Sequence, residues 1–183
     1  MARTIIFGEI SGIKEGELFK GRKEMMPSSF HRVWGRGIDS DKDKGAAAVV
    51  LSGGYKDIDN DDVIIYTGAG GRDKNGKQIE DQKWTHNDNK GLIISCDHGL
   101  PVRVIIGHKH KSPMSPKVGY VYAGLYYVES YWTELETLGD KEFKMHDIVF
   151  KICQCYGPIH RQLPGAAAHP WPAQLDLGVG RVM

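Results

Sequence analysis

Three cysteines in 183 residues, Cys96, Cys153 and Cys155, are too few and too oddly numbered for a disulfide framework, which fits a reducing compartment. No apolar run approaches the roughly 18 residues that a membrane span needs. The opening stretch, Met1-Ala2-Arg3-Thr4-Ile5-Ile6-Phe7-Gly8-Glu9, is too poor in apolar residues for a signal peptide, so the expectation is an intracellular protein with no membrane partner. Excess charge is missing as well. The net charge of +1 means that bulk composition does not announce a nucleic-acid binder, and any basic surface must be local. One such locality exists, because acidic residues are absent between Asp97 and Glu129, where Arg103, His108, Lys109, His110, Lys111 and Lys117 all fall. That stripe suits phosphates; a solvated loop of chance composition accounts for it about equally well.

Catalytic signatures are missing too. No nucleophile with a base, pair of catalytic carboxylates, phosphate-binding loop or zinc-deaminase pattern can be defended. Gly68-Ala69-Gly70-Gly71 lacks the following Lys-Ser/Thr of a nucleotide loop, and Asp57, Asp59, Asp61 and Asp62 lack the bidentate Glu of a calcium loop. Cys153 and Cys155 with His160 do not have structural-zinc spacing, and His108 and His110 stand among lysines that would repel a cation. We expect no metal, no cofactor and no enzymatic activity.

What is present reads as one domain over 1–156 and a Pro/Gly/Ala-rich flexible tail over 157–183, without internal repeats. Ile5 to Phe7 reads as a short first strand and Arg22 to Met26 as a short helix stopped by Pro27. Ser28 to Ile38, glycine-rich and carrying Trp34, reads as an exposed loop. Ala46 to Leu51 and Val63 to Thr67 read as buried strands flanking an acidic turn. Asn75-Gly76 marks a second exposed loop, and Trp84 to Gly99 fits helix and strand equally. Val102 to Ile106, Tyr120 to Val128 and His146 to Cys155 read as strands, the last closing the sheet. Many short strands with few helices suggest a mixed, curved sheet or partial barrel.

The most specific stretch runs from Ser52 to Arg72. Ser52-Gly53-Gly54-Tyr55-Lys56-Asp57 is followed by an acidic turn and then by Tyr66-Thr67-Gly68-Ala69-Gly70-Gly71-Arg72. Two tyrosines beside glycines, with an aspartate between them, describe a slot for a planar ring, although tyrosines on strands are more often core residues. With Asp81-Gln82-Lys83, Leu100-Pro101-Val102-Arg103-Val104-Ile105 and Gly119-Tyr120-x-Tyr122-Ala123-Gly124-Leu125-Tyr126, this stretch resembles the SET- and RING-associated (SRA, or YDG) domain in order from about Phe7 to Cys155.

The resemblance implies an α+β, mainly β, PUA-like curved pseudo-barrel with a few short helices. It implies a partner, double-stranded DNA containing 5-methylcytosine, with 5-hydroxymethylcytosine a further candidate guest. In that picture the modified base is flipped out of the duplex and sandwiched by Tyr55 and Tyr66. Asp57 accepts from its amine, main chain near Ser52, Gly53, Gly54 and Thr67 meets its other polar edge, and Ala69 lies against the methyl. The turn between the tyrosines is one residue shorter than in the animal proteins, which makes Asp59 the second candidate for the acceptor. His31-Arg32-Val33-Trp34-Gly35-Arg36-Gly37-Ile38 matches the family's insertion loop, with Trp34 or Arg36 as the wedge. A second loop would bring Lys74, Lys77 and Gln78 to the other groove, and it lacks the Asn-Lys-Arg triplet of the animal proteins. Ala123 replaces the Asp of Tyr-Asp-Gly. Arg103, Lys109, Lys111 and Lys117 would contact phosphates.

The leading expectation is a non-enzymatic reader of methylated DNA. Two alternatives stay open: the specificity module of a modification-dependent restriction endonuclease, its nuclease missing or on a partner, and a chromatin adaptor. No protein partner can be named. The location would be nuclear in a eukaryote, and cytoplasm or nucleoid in a bacterium.

Overall fold

The computed structural model describes residues 4–54, 57–60 and 63–152. The tail over 157–183, Cys153, Cys155 and His160 lie outside them. Eight strands share one sheet, in the order β2-β3-β6-β7-β8-β5-β4, with β1 paired to β7. The strands are β1 (Leu18–Phe19), β2 (Ile38–Asp41), β3 (Gly45–Leu51), β4 (Ile58–Asn60), β5 (Val63–Thr67), β6 (Pro101–Gly107), β7 (Tyr120–Leu138) and β8 (Lys141–Ile152). Two helices, α1 (Arg22–Met25) and α2 (Asn87–Asp97), complete the described fold. Only β3 and β6 run parallel; the remaining pairs are antiparallel. The sheet is not closed. Two bulges in the 19-residue β7 place Ala123 and Glu129 between partners, and bulges of this kind bend a strand and raise its twist.

Strand β3 is apolar throughout because both its faces are covered. Ala46, Val49 and Leu51 join one cluster with Ile64, Tyr66, Leu92, Val104, Ile148 and Phe150. Ala48 and Val50 join a second with Met25, Phe30, Ile105 and Tyr122. The alternation of β6 divides between the same clusters: Val102, Val104 and Ile106 enter the first, Ile105 the second, and Arg103 shares the face of Ile105. The helix α2 lies close on β2 and β3 because Gly91 is bare: a Cβ there would meet the Ser40 Cβ at 2.7 Å. Ser95 Oγ, bonded to both the amide and the carbonyl of Ala46, fastens the helix to the strand.

The structure departs from several of the sequence expectations. Ile5 to Phe7 is not a strand; its backbone is tied instead to Arg103, whose Nη1 donates to Ile6 O and Gly8 O. Trp84 to Gly99 resolves as helix from Asn87, with Gly91 serving close packing rather than breaking the helix. The acidic turn contains a short strand of its own, β4, hairpinned onto β5. Strand β7 runs ten residues beyond the expected end at Val128, to Leu138, where polar and charged residues hide the apolar alternation.

Candidate functional site

The C-terminal end of β3, the start of β5's following loop and the entry to β2 converge on a cavity of about 310 Å³. Its lining includes Gly37, Val50, Ser52, Asp57, Tyr66, Gly68 and Ala69, with Arg22, Arg36, His86 and Asp88 as well. Of the candidate ring-binding residues, the structure thus brings together Ser52, Asp57, Tyr66 and Ala69. Tyr55 and the side chain of Asp59 lie outside the described residues. Gly53 and Gly54 line an adjoining cleft of about 460 Å³ with Arg22, His108, Lys109 and Tyr120.

Tyr66 is buried at 4% exposure and meets Phe150 edge to face, centroids 5.9 Å apart. Its hydroxyl lies where a side chain at Gly37 would begin: a Cβ there would approach it to 2.9 Å. Tyr66 is therefore both a core residue and a cavity wall, because the cavity opens off the first cluster. Asp57 follows the same logic of position. Its Oδ1 accepts from the Thr67 amide at 2.9 Å, and the Thr67 hydroxyl also bonds the carboxyl. Burial nevertheless pushes its pKa from the usual 3.8 up to about 6, against the pull of these bonds and of Arg72.

The loop after β5 is held by Asn89, which carries no signal in the sequence, and by Gln82, which stands in the Asp81-Gln82-Lys83 segment with no role assigned to it. Asn89 of α2 accepts from Ala69 N at 2.7 Å and donates to Ala69 O at 2.9 Å. Gln82 donates to Gly68 O at 2.7 Å and accepts from His146 N at 2.8 Å. These two amides fix Gly68-Ala69 as a backbone fixes a turn. Arg72 donates to Gly54 O at 2.7 Å, joining the two ends of the stretch. Gly53 adopts φ 73°, and a side chain there would run into the Lys109 carbonyl. Its bareness serves contact with the basic loop.

The loop from His31 to Gly37 arches over one side of the cavity. His31 is fully buried, with Nδ1 2.9 Å from Val33 O and Nε2 3.3 Å from Gly37 O, and burial depresses its pKa from 6.5 to about 4. Arg32 grips Asp39 through Nε at 2.9 Å, Nη2 at 2.7 Å and its backbone amide. These two residues are the stem of the loop, which corrects the expectation that they belong to its contacting surface. At the tip, Trp34 is 60% exposed, with the Lys23 ammonium 5.8 Å from its ring centroid. Arg36 bonds the buried carboxylate of Asp88 at 2.9 Å, which also accepts from Ser40 Oγ at 2.8 Å. Arg22 donates to Arg36 O at 2.6 Å, while its guanidinium lies over the Tyr120 ring.

Lys74 and Lys77 are exposed on a tight turn in which Asp73 Oδ1 accepts from the amides of Asn75 and Lys77. Gln78 is buried, and its amide donates to Gly70 O and Glu80 O; it braces the glycine loop and does not face outward. Lys109, Lys111 and Lys117 are exposed. Arg103 is not: it is fully buried beside Phe30 and donates to Phe30 O, Ile6 O, Gly8 O and, at longer range, Ser29 O. A phosphate cannot reach it. Tyr122, of the Tyr-Ala-Gly segment, is likewise buried and packs edge to face on Phe30 at 4.8 Å.

Comparison with known proteins gives a consistent answer. The family model described as the SAD/SRA domain matches residues 6–149. The H3 lysine-9 specific histone-lysine N-methyltransferase SUVH5 of Arabidopsis thaliana is 39% identical over 178 residues, covering 92% of this chain and 21% of that protein. The E3 ubiquitin-protein ligase UHRF1 of Rattus norvegicus is 37% identical over 151 residues, covering 70% of this chain and 19% of that protein. The chain thus spans about a fifth of the length of these relatives. Among solved structures, the modification-dependent restriction endonuclease TagI superposes with a TM-score of 0.76 at 39% identity, over 81% of this chain and 52% of that one. The SUVH5 SRA complex with fully methylated CG DNA superposes with 0.68 at 34% identity, over 91% and 99%.

Proposed function

The chain belongs to the SAD/SRA domain family, and from that premise we propose that it reads methylated DNA by taking an extruded 5-methylcytosine into the cavity between Tyr66 and Asp57. The observation that carries this reading is the cavity itself. One aromatic wall, a buried carboxyl and a braced Gly68-Ala69 backbone meet in a space of about 310 Å³, beside a loop that presents Trp34 to solvent. Tyr55, a neighbour of Asp57 in sequence, is proposed as the second wall. The SUVH5 SRA domain was crystallised with fully methylated and with fully hydroxymethylated CG DNA, which supports the same class of guest here.

The energetics are compatible. Extrusion costs a few kcal/mol, and stacking on aromatic faces returns roughly 1–3 kcal/mol per base. Burial of the methyl adds only about 0.8 kcal/mol, a several-fold preference over cytosine. Trp34 is the proposed wedge, since Arg36 is already committed to Asp88 at the cavity rim. Lys74 and Lys77 would approach from the other groove, and Lys109, Lys111 and Lys117 would meet phosphates. The chain itself is proposed to bind without catalysing.

A second reading is favoured by the TagI superposition: the domain supplies modification specificity to a nuclease. SUVH5 and UHRF1 support a chromatin adaptor and a nuclear location in a eukaryotic source; a bacterial source would place the chain with the nucleoid. Titration of cytosine and 5-methylcytosine duplexes at fixed salt, repeated with Tyr55→Ala and Asp57→Ala, tests the pocket. Parent-like binding by both variants would overturn it. A nicking assay on methylated plasmid with divalent metal tests for cleavage.

A further inference from the structure

Strand β6 pairs with β7 only between Tyr120 and Tyr127. From Ser130 to Leu138, β7 pairs with β8 alone, and among the described residues no backbone group bonds its other side. The far edge of the same two-stranded arm is covered. Gly68 N donates to His146 O, Gln82 N donates to Lys144 O, and Asp81 Oδ1 accepts from Lys144 N. Antiparallel pairing commits alternate residues of β7 to β8 and turns the amides and carbonyls of the others outward. Such a row is a template for another strand, and proteins commonly blunt it with lysine or proline. Neither occurs between Ser130 and Leu138.

Side chains along this edge alternate between two unlike faces. Tyr131, Thr133, Leu135 and Thr137 make an uncharged face, on which Tyr131 is 37% and Leu135 65% exposed. Trp84 extends it, meeting the Tyr131 ring at 5.1 Å and donating to Thr133 Oγ1 at 2.9 Å. The other face carries Trp132, Glu134 and Glu136, with Asp147 of β8 opposite Trp132. Burial, and then the Glu134 and Glu136 carboxylates, push the Asp147 carboxyl from 3.8 up to about 7. This acidic face repels a phosphate backbone. A second copy paired antiparallel on the same edge would set glutamates against glutamates. A lysine or arginine there would lay its stem along Trp132 and its charge at Glu134. We propose that the free edge of β7 takes an extended protein segment as an added strand, with basic residues beside Glu134 and Glu136 alternating with apolar residues beside Tyr131 and Leu135. Main-chain bonds supply affinity in such an addition and alternate side chains supply specificity. The proposal is independent of the base cavity.

The test is a fluorescence-polarisation titration of the full chain with a synthetic peptide of about eight residues, alternating lysine and isoleucine. It is expected to bind, and its glutamate-isoleucine counterpart to bind about tenfold more weakly or worse. N-methylation of every amide in the lysine peptide should weaken it by more than about tenfold, because an added strand is held through its main chain. Amides between Ser130 and Leu138 that do not bond β8 should gain protection from hydrogen exchange on binding. Glu134→Lys, its fold checked by circular dichroism, should weaken the lysine peptide about fivefold and strengthen the glutamate one. No binding of the lysine peptide overturns the inference. So do equal binding of the glutamate or N-methylated peptide, protection elsewhere than Ser130 to Leu138, or a dimer in sedimentation that already protects those amides without peptide.

Discussion

In the proposed pocket Asp57, placed to accept from the base's N4 amine, would also face the adjacent N3, which accepts. A carboxyl satisfies both only with a proton between it and N3, and burial already lifts Asp57 to about 6. Above that value, base binding must take up the proton from solvent. Affinity for a methylated duplex is therefore expected to fall as pH rises from about 6 to 8, approaching tenfold per pH unit. Asp57→Asn, whose amide offers the donor permanently, should bind with a flat profile, and Asp57→Ala should bind poorly throughout. Without DNA the sign is independent of this: the folded carboxyl holds its proton more tightly than the usual 3.8, so its burial costs stability increasingly as pH rises from about 4 to 6. Gly37 makes a second prediction at this scale. Gly37→Ala should push the Tyr66 hydroxyl from its place and weaken methylated-DNA binding while circular dichroism reports an unchanged fold.

Among elements, the arched loop is held at both ends before any ligand arrives. His31 and the Arg32–Asp39 pair fasten its stem, and Arg22 and Asp88 hold its tip through Arg36. His31 is neutral when folded, so its contribution is complete above its ordinary 6.5 and is lost as pH falls through about 4. An NMR titration should find its ring protonating near that lower value. Asp88→Asn removes the buried charge that Arg36 answers and should slow base extrusion, read by stopped-flow with a fluorescent base analogue, without abolishing the initial salt-dependent encounter. The exposed tip of this loop was visible in the sequence as glycine, Trp34 and arginine without periodicity. Its internal fastening was not, because Asp39 and Asp88 lie at other positions along the chain and read as ordinary surface charges. The helix from Asn87 was half legible: Asn87 to Lys90 could start one, but Gly91 lowers helix propensity, and only packing against Ser40 explains its place there.

At the scale of the molecule, two basic residues close in sequence do unrelated work. Lys109→Gln should reduce the slope of log affinity against log salt by about 0.9, the release of one phosphate's counterion. Arg103→Ala should instead strip four backbone carbonyls of their donor and lower stability by several kcal/mol, seen as a fall in melting temperature. Composition treated both as one stripe. The alternation of β6 separates them, because Arg103 shares a face with the buried Ile105 whereas Lys109 lies beyond the strand's end. The sheet was legible from its β-branched runs, and the family from the ordered motifs between Phe7 and Cys155. The braces Gln82 and Asn89 were not, because a buried amide and an exposed one look alike in sequence. Tyr66 was legible for both of its roles, as core residue and as cavity wall, and the structure joins them.

In the proposed reading the base leaves the helix before it is recognised. The most direct measurement of this compares affinity at fixed salt for 5-methylcytosine paired with guanine and for the same base opposite an abasic site. Loss of pairing lowers the cost of extrusion by a few kcal/mol, so the account predicts that the abasic duplex binds more tightly, by about tenfold or more. Equal or weaker binding of the abasic duplex would contradict it and point to a protein that reads the intact groove.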